Sequence, residues 1–336
     1  MKKLLIWLLT VLTVFAMVGC GAEPKETTAP TGSTPPAETT TPTEPFQKEE
    51  AVLENGDKII FIGNSFTYYG KCVLDKGQKE FGLDKRANDQ GYFYQVCKAN
   101  GIEVSVTNFT FGGHQLKDFY SGKCAANRGH DGLNHLEYLT DRDYDYVVLQ
   151  QGSGGKDMED ILSECQPLMN IFLKENPNTQ FVFLVHHWAH LSDHSYLSNV
   201  KQLEEAGFIV VDWGALVADV IEGTTQVPNA TQTYDKNSFV ISKSMDDGFH
   251  EYLLAGYITA QMTYCALTGE SAQGQDYSFC GNKAINSSFD FEMFKANQYL
   301  FQRETNFIEI FNSEADMLGL QRLIDQYLAQ KPYLNY

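Results

Sequence analysis

The feature that most constrains the fold of this chain is a repeated alternation of short apolar runs with segments of helical periodicity. Apolar runs bounded by turn residues are typical of strands buried on both faces, and their alternation with helices is typical of a parallel sheet. We therefore predict strands at 58–62, 103–109, 144–149, 180–185 and 208–211, and helices at 91–100, 157–174, 196–206, 214–221 and 252–267. The predicted class is α/β, a three-layer α/β/α sandwich around a central parallel sheet, followed by a mostly helical tail at 289–328.

The N-terminus has the organisation of an export signal. Two lysines precede an apolar run at 4–18, which is too short to span a bilayer because a spanning helix needs about 20 residues. The run ends at 17–20 in Met-Val-Gly-Cys, which resembles a lipobox. That resemblance implies removal of residues 1–19 and acylation of Cys20, which would anchor the protein to the outer face of the cell membrane. The alternative is an ordinary signal peptide in which Cys20 has no special role.

The segment after the signal has the composition of a tether. Thr, Pro, Glu, Ala and Gly dominate it, and it holds almost no large apolar side chain. Such a segment cannot bury enough surface to offset the entropy lost on ordering, and its prolines keep it extended. We therefore divide the chain into a signal at 1–19, a disordered tether at 20–56 and one domain at 57–336, with its core at about 57–270 and a helical extension after it.

Charge and cysteine content exclude some classes of partner. The formal net charge is −18 at pH 7, which argues against nucleic acid because the phosphate backbone is bound by clustered cations. Six cysteines follow Cys20, and outside the cell they could form up to three disulfides in any of 15 pairings. None of them has CxxC spacing, which argues against a zinc ribbon.

Ligands of open parallel sheets bind beyond the carboxyl ends of the strands. The residues that follow the predicted strands are 63–65, 112–114, 150–153 and 186–188. We therefore expect the cleft at these positions, and its candidate lining residues are Asn64, His114, His187 and Trp188.

The segment at 61–67, Phe-Ile-Gly-Asn-Ser-Phe-Thr, resembles the first block of the SGNH (GDSL-type) hydrolase superfamily. In that family a serine nucleophile follows the first strand, and an Asp-x-x-His block near the end of the domain supplies the base. The sequence Asp-Gly-Phe-His at 247–250 stands at this place. The resemblance implies Ser65 as the nucleophile, His250 as the base and Asp247 as the group that orients it, with Asp246 as a rival orienter. Asn64 replaces the first-block aspartate, which is not the acid of the family's triad.

The same resemblance implies donors for the oxyanion. The family takes them from the serine N–H, from a glycine N–H after the second strand and from an asparagine after the third. Gly113 is favoured over Gly112 for the second donor. No asparagine follows the third strand, where Gln150 and Gln151 stand instead, and some sugar O-acetylesterase branches carry Gln-Gly-Glu at this place. Either glutamine could act as the third donor.

The resemblance implies an extracellular serine esterase that removes O-acetyl or similar acyl groups from a glycan or a small molecule, without a metal or an organic cofactor. One alternative is an inactive glycan-binding protein on the same fold, which the missing asparagine favours. The other is a metal-dependent hydrolase, because His187, His190 and His194 have spacings that would place them on one helical face.

Overall fold

The computed structural model describes residues 53–73, 91–121, 135–152, 160–191, 196–240, 248–281 and 313–336, all within one compact unit at 42–336. In these residues five parallel strands form one sheet in the order β2-β1-β3-β4-β5. The strands are β1 (Lys58–Gly63), β2 (Ser105–Thr110), β3 (Tyr146–Leu149), β4 (Gln180–Leu184) and β5 (Ile209–Val211).

Helices lie between the strands and after the last one. They are α1 (Ser65–Tyr68), α2 (Tyr92–Ala99), α3 (Leu116–Tyr120), α4 (His135–Leu139), α5 (Ile161–Glu175), α6 (His187–Leu191), α7 (Leu197–Glu205), α8 (Trp213–Glu222), α9 (Lys236–Phe239), α10 (Leu253–Thr268) and α11 (Glu314–Gln330). Short 3₁₀ helices occupy Ser278–Gly281 and Pro332–Asn335.

Side-chain alternation along the strands produces two apolar cores, one on each face of the sheet. In β1, Ile59 and Phe61 belong to one core while Ile60 and Ile62 belong to the other. The first core is completed by α2, α8, α10 and α11, and the second by α3, α4, α5 and α7. The structure therefore has the three layers that the sequence predicts, and the predicted fold class is confirmed.

Helix α10 is buried on every side, as expected for a helix that is apolar all round. It lies against α2, α11 and the sheet edge at β5. In the part of the chain that the structure describes, no helix is both long and apolar enough to cross a bilayer.

The strand order determines where a crevice can form. Proceeding along the chain, the sheet grows outward from β1 to β2 and then in the opposite direction from β1 to β3. The order therefore reverses between β1 and β3, and the connections that leave these two strands diverge to opposite faces of the sheet. A ligand crevice is expected outside the carboxyl ends of the strands at such a switch point. Ser65 follows β1 and the two glutamines follow β3, so both stand at this point.

The predicted strands and long helices agree with the observed ones to within a few residues. The short helices α1, α3, α4, α6 and α9 were not predicted, because four or five residues carry too little periodicity to be recognised. Of the predicted helical tail, α11 is observed, while 289–312 lies outside the described residues. Leu53, which the sequence assigns to the tether, is buried, and its N–H donates to the carbonyl of Leu267 at 3.1 Å.

Cysteines in the described ranges lie inside the domain. Cys72, Cys97, Cys165 and Cys265 are free thiols rather than disulfides. Burial raises the pKa of each of the four well above its usual value. Such thiols are largely protonated and therefore poor nucleophiles.

Candidate active site

Ser65 is the first residue of α1, directly beyond the carboxyl end of the central strand β1. Asn64 caps this helix, because its Oδ1 accepts the N–H of Phe66 at 3.0 Å. Ser65 itself is 8% exposed, so it is largely but not completely shielded from solvent.

A second hydrogen bond of Asn64 joins the turn after β1 to the turn after β2. Its Nδ2 donates to the carbonyl oxygen of His114 at 3.1 Å, and Asn64 is almost fully buried. Gly152, which follows β3, packs against the same carbonyl so closely that a Cβ there would lie 2.7 Å from it. The turns after three neighbouring strands are thus held together, with Ser65 at their centre.

His250 lies among aromatic rings that adjoin Ser65. Its ring is stacked on Tyr69 at 3.9 Å and on Phe249 at 4.4 Å, and it lies 5.5 Å from the ring of Phe66. Because Phe66 is the neighbour of Ser65 in the chain, these contacts place His250 against the helix that begins at Ser65. Asp246 and Asp247 lie outside the described residues, so the orienting group of the predicted triad stays a prediction.

Two glycines bring these segments together. Gly70 follows α1, and Gly256 lies in the first turns of α10, shortly after His250. A Cβ on Gly256 would lie 1.6 Å from the carbonyl oxygen of Gly70, and a Cβ on Gly70 would lie 2.7 Å from the Cα of Gly256. Only residues without side chains allow the two backbones to approach this closely.

We call Gly113, Gln150 and Gln151 the donor corner. Gly113 is exposed and has a φ of 69°, in the left-handed region that favours glycine. The Oε1 of Gln151 accepts two backbone N–H groups, from Leu116 at 2.9 Å and from Gly152 at 3.0 Å. Because only the carbonyl end of the amide can accept, these bonds set its orientation. Its buried Nε2 has no hydrogen-bond partner in the described part of the chain.

Gln150 is held by a side chain of α1. Its Oε1 accepts the hydroxyl of Thr67 at 3.1 Å, and its buried Nε2 also has no partner among the described residues. Gly63 leaves the space for this contact, since a Cβ there would lie 2.5 Å from the Thr67 hydroxyl. A hydroxyl can donate or accept, so this bond sets the amide of Gln150 less firmly than two N–H groups set that of Gln151.

We call His186, His187 and His190 the histidine turn. His186 is stacked on Phe66 at 4.3 Å, and its Nδ1 accepts the N–H of Ala189 at 3.3 Å. The Nε2 of His187 donates to the carbonyl of Phe249 at 2.8 Å. Burial lowers the pKa of His187 to about 3, although the Phe249 bond opposes that shift, and burial also lowers the pKa of His186 well below its usual value. Both rings are therefore neutral at pH 7.

His190 is held at both ring nitrogens. Its Nε2 lies 2.7 Å from Asp212 Oδ1, and its Nδ1 lies 3.1 Å from the hydroxyl of Tyr336. Asp212 also caps α8 through the N–H of Ala215 at 3.1 Å. The proposed metal set of His187, His190 and His194 is only partly described, because His194 falls outside the described ranges, and within those ranges no three ligand-type side chains could hold one ion.

The predicted cleft residues differ in exposure. Asn64, His114 and His187 are almost fully buried and hydrogen-bonded, so they support the crevice from behind rather than face solvent. Trp188 is half-buried, with its ring 5.5 Å from that of Phe249 and the ammonium of Lys236 at 6.0 Å from its centre. Trp188 is thus the predicted cleft residue that can contact a ligand directly.

Four residues of this neighbourhood were missed as site candidates by the sequence reasoning. They are Phe249, Lys236, Asp212 and His135. Phe249 stands inside the Asp-x-x-His block, so its place in the sequence could have drawn attention to it. The other three come from helix ends far from the blocks, and no local signal marks them.

No protein-family model matches the sequence, and no curated protein matches it significantly. Among solved structures, an acetylxylan esterase from Geobacillus stearothermophilus matches at a TM-score of 0.40 and 16% identity, over 64% of this chain and 95% of that one. A GDSL-like lipase from Parabacteroides merdae matches at 0.41 and 16%, over 65% and 98% of the two chains. At these values the similarity is distant, and it says nothing about which residues of this chain react.

Proposed function

We propose that this protein is a serine esterase of the SGNH type that removes O-acetyl or similar acyl groups from extracellular glycans. The observation that supports the proposal is that Ser65 and the donor corner follow strands at the switch point of the sheet, while His250 packs against Phe66, the neighbour of Ser65. The segments of Ser65, Gly113 and His250 resemble blocks of that superfamily and are far apart in the chain, whereas Gln150 and Gln151 stand where its third block has an asparagine. The anchor at Cys20 belongs to the same proposal and would hold the enzyme at the outer face of the cell membrane.

In the proposed reaction the hydroxyl of Ser65 attacks the acyl carbonyl and His250 takes its proton. The tetrahedral intermediate collapses, the sugar oxygen leaves with that proton, and Ser65 carries the acyl group. Water then attacks the acyl-enzyme with His250 again as the base, and the acid leaves while Ser65 regains its proton. Asp247 is assigned the orientation of His250. The aromatic rings around His250 exclude water and limit the positions of the imidazole.

We assign the oxyanion donors to the N–H of Ser65, the N–H of Gly113 and the Nε2 of Gln151. Gln151 is preferred to Gln150 because two backbone N–H groups bind its carbonyl oxygen and so direct its N–H₂, which has no partner within the described ranges, away from them. One of these groups belongs to Leu116, at the start of the helix that follows the Gly113 turn. A fixed donor beside that turn needs no reorganisation when charge develops, which is the main source of such stabilisation.

A glycan is the preferred substrate because of the surface beside His250. The half-buried rings of Trp188 and Phe249 lie 5.5 Å apart and adjoin His250 through Phe249. Flat rings of this kind provide a large rigid contact area for the apolar face of a sugar. The ammonium of Lys236 over Trp188 adds a hydrogen-bond donor at the same surface.

A fluorophosphonate probe together with an esterase assay tests the proposal. We expect the probe to label the wild-type protein, and Ser65→Ala to lose both the label and the hydrolysis of p-nitrophenyl acetate and acetylated glycans. Ser121→Ala, at an exposed serine of the described surface, is the matched control and should keep both. Absence of labelling together with retained glycan binding would instead support the binding-protein alternative. Hydrolysis that chelation abolishes and Ser65→Ala leaves intact would support the metal-dependent one.

A further inference from the structure

A buried pair of histidines lies behind the Gly113 turn. The Nε2 atoms of His114 and His135 are 3.2 Å apart, and both side chains are almost fully buried. The rings of Phe109, Phe111 and Phe119 surround the pair. His135 is the first residue of the short helix α4, and its role is not evident from the sequence.

The hydrogen bonds of the pair have a defined direction. His114 Nδ1 lies 3.4 Å from the carbonyl oxygen of Gly112, and because that oxygen can only accept, we assign the proton of the ring to Nδ1. In a neutral ring the other nitrogen is then a bare acceptor. The Nε2 of His135 must therefore donate to the Nε2 of His114. A chain of two hydrogen bonds runs from His135 through His114 to Gly112.

The carbonyl at the end of this chain shares a peptide unit with the proposed oxyanion donor. The Gly112 C=O and the Gly113 N–H belong to one planar trans peptide and point in opposite directions. The N–H of His114 donates to the carbonyl of Phe111 at 3.1 Å, and Gly113 has a φ of 69°, as in a type II turn. A type I turn would have this central peptide turned over and the Gly113 N–H reversed.

We infer that His114 and His135 are positioning residues that set the direction in which the Gly113 N–H points. By binding the Gly112 carbonyl, His114 stabilises the turn in which that N–H has its observed direction. Asn64 binds the backbone of the same residue, with its Nδ2 3.1 Å from the His114 carbonyl, so the turn is also held in place relative to Ser65. The inference rests on the proposed function, because Gly113 acts as an oxyanion donor only in an acyl-transfer enzyme.

Two pairs of variants separate positioning from packing. His135→Phe and His114→Phe keep an aromatic ring but remove the hydrogen bonds. We expect each to lower kcat for p-nitrophenyl acetate by about 10- to 100-fold with KM changed less than about 2-fold, a smaller loss than removal of a whole oxyanion donor. His135→Gln keeps a donor near the position of Nε2, and His114→Asn keeps one near Nδ1, so both should recover most of kcat. Phe119→Leu is the control, because it disturbs the packing of the same cluster without touching a hydrogen bond.

The inference is overturned if the phenylalanine variants keep wild-type kcat, or if Phe119→Leu lowers kcat as much as they do. Nitrogen-15 NMR of histidine-labelled wild-type protein supplies a readout that needs neither activity nor a folded variant. We expect His114 to be protonated at Nδ1 and His135 at Nε2, and protonation of His114 at Nε2 alone would refute the hydrogen-bond chain. If the wild type neither hydrolyses esters nor reacts with the fluorophosphonate, the proposed function fails. The NMR measurement still tests whether the hydrogen bonds from His135 through His114 to Gly112 exist.

Discussion

The donor corner and the histidine turn lie at the same edge of one sheet but use their polar groups in different ways. In the corner, the oxygens of Gln150 and Gln151 are bound, and their buried N–H₂ groups have no partner among the residues that the structure describes. In the histidine turn, each imidazole uses a ring nitrogen for a hydrogen bond that holds a loop or a helix, and His190 uses both of its nitrogens. The histidines of the turn therefore support loops and helices, while the two glutamines keep N–H₂ donors that no described residue accepts.

This difference predicts opposite consequences of substitution in the two regions. Variants of the corner should lose rate out of proportion to the stability they lose with their oxygen-side hydrogen bonds, and variants of the histidine turn should lose stability before they lose rate. The predictions below run from the largest expected effect to the smallest.

Replacing Gln151 by leucine should have the largest effect on the reaction. Loss of one oxyanion donor lowers kcat by about 10²- to 10³-fold, equivalent to about 3 to 4 kcal/mol, because the interaction forms only in the transition state. Steady-state kinetics with p-nitrophenyl acetate should show KM nearly unchanged. Gln150→Leu is the matched control and should lower kcat less than about 10-fold if Gln151 holds the assigned role. The reverse order of the two variants would move that role to Gln150.

Asp212→Ala should have its main effect on stability. It removes the cap of α8 and leaves the buried Nε2 of His190 without its acceptor, so we expect the free energy of unfolding to fall by about 3 kcal/mol. Urea unfolding measures this change, and the activity of the folded fraction should stay within a few-fold of wild type. A large fall in kcat at unchanged stability would contradict the supporting role of the histidine turn.

Gly256→Ala tests the contact that joins the Ser65 segment to the His250 segment. In an unconstrained helix this change would stabilise the protein by about 1 kcal/mol. Here the added Cβ meets the backbone of Gly70, so we expect a destabilisation of about 2 kcal/mol together with reduced activity. A lower urea midpoint for Gly256→Ala would show that the contact leaves no room for a Cβ. A stabilised variant with full activity would show that the close contact is not required.

The low pKa of His187 predicts how stability depends on pH. The unfolded chain takes up a proton near the usual value of 6.5, while the folded protein does not do so until about pH 3. The contribution of neutral His187 to the free energy of unfolding should therefore be fully present above pH 6.5 and should decrease as the pH falls below that value. His187→Gln retains a donor for the Phe249 carbonyl but cannot titrate. Its stability should fall less steeply between pH 6.5 and 4.5, by at most about 1.4 kcal/mol per pH unit. Parallel curves for the two proteins would contradict the shift.

Trp188→Ala should have the smallest effect and should separate glycan binding from chemistry. Loss of ring stacking is worth about 1 kcal/mol, so KM for an acetylated oligosaccharide should rise about 3- to 10-fold while hydrolysis of p-nitrophenyl acetate stays unchanged. Trp188→Phe keeps a ring, so its KM for the oligosaccharide should lie between those of the wild type and Trp188→Ala. An equal loss on both substrates would indicate that Trp188 supports His250 through Phe249 instead.

Much of the fold could be predicted because its signal is local. Each strand of the sheet is a short apolar run, and α10 is apolar on every side, so burial follows from the residues themselves. The placement of Ser65 beyond a strand end follows from the same pattern. The short helices and the cap at Asp212 were missed, because their stability comes from contacts with distant parts of the chain rather than from their own periodicity.

By itself the sequence determined the layers, the strand ends and the residue types available there. The order of the strands, the approach of Gly70 to Gly256 and the partner of each imidazole were decided only by the tertiary structure. The physical reason is that a strand or helix is recognisable from the periodicity of its own residues. A polar side chain, in contrast, has many possible partners in the sequence, and only tertiary packing selects one of them. The sequence could therefore propose Gln150 and Gln151 together, and the bonds from Leu116 and Gly152 distinguish between them.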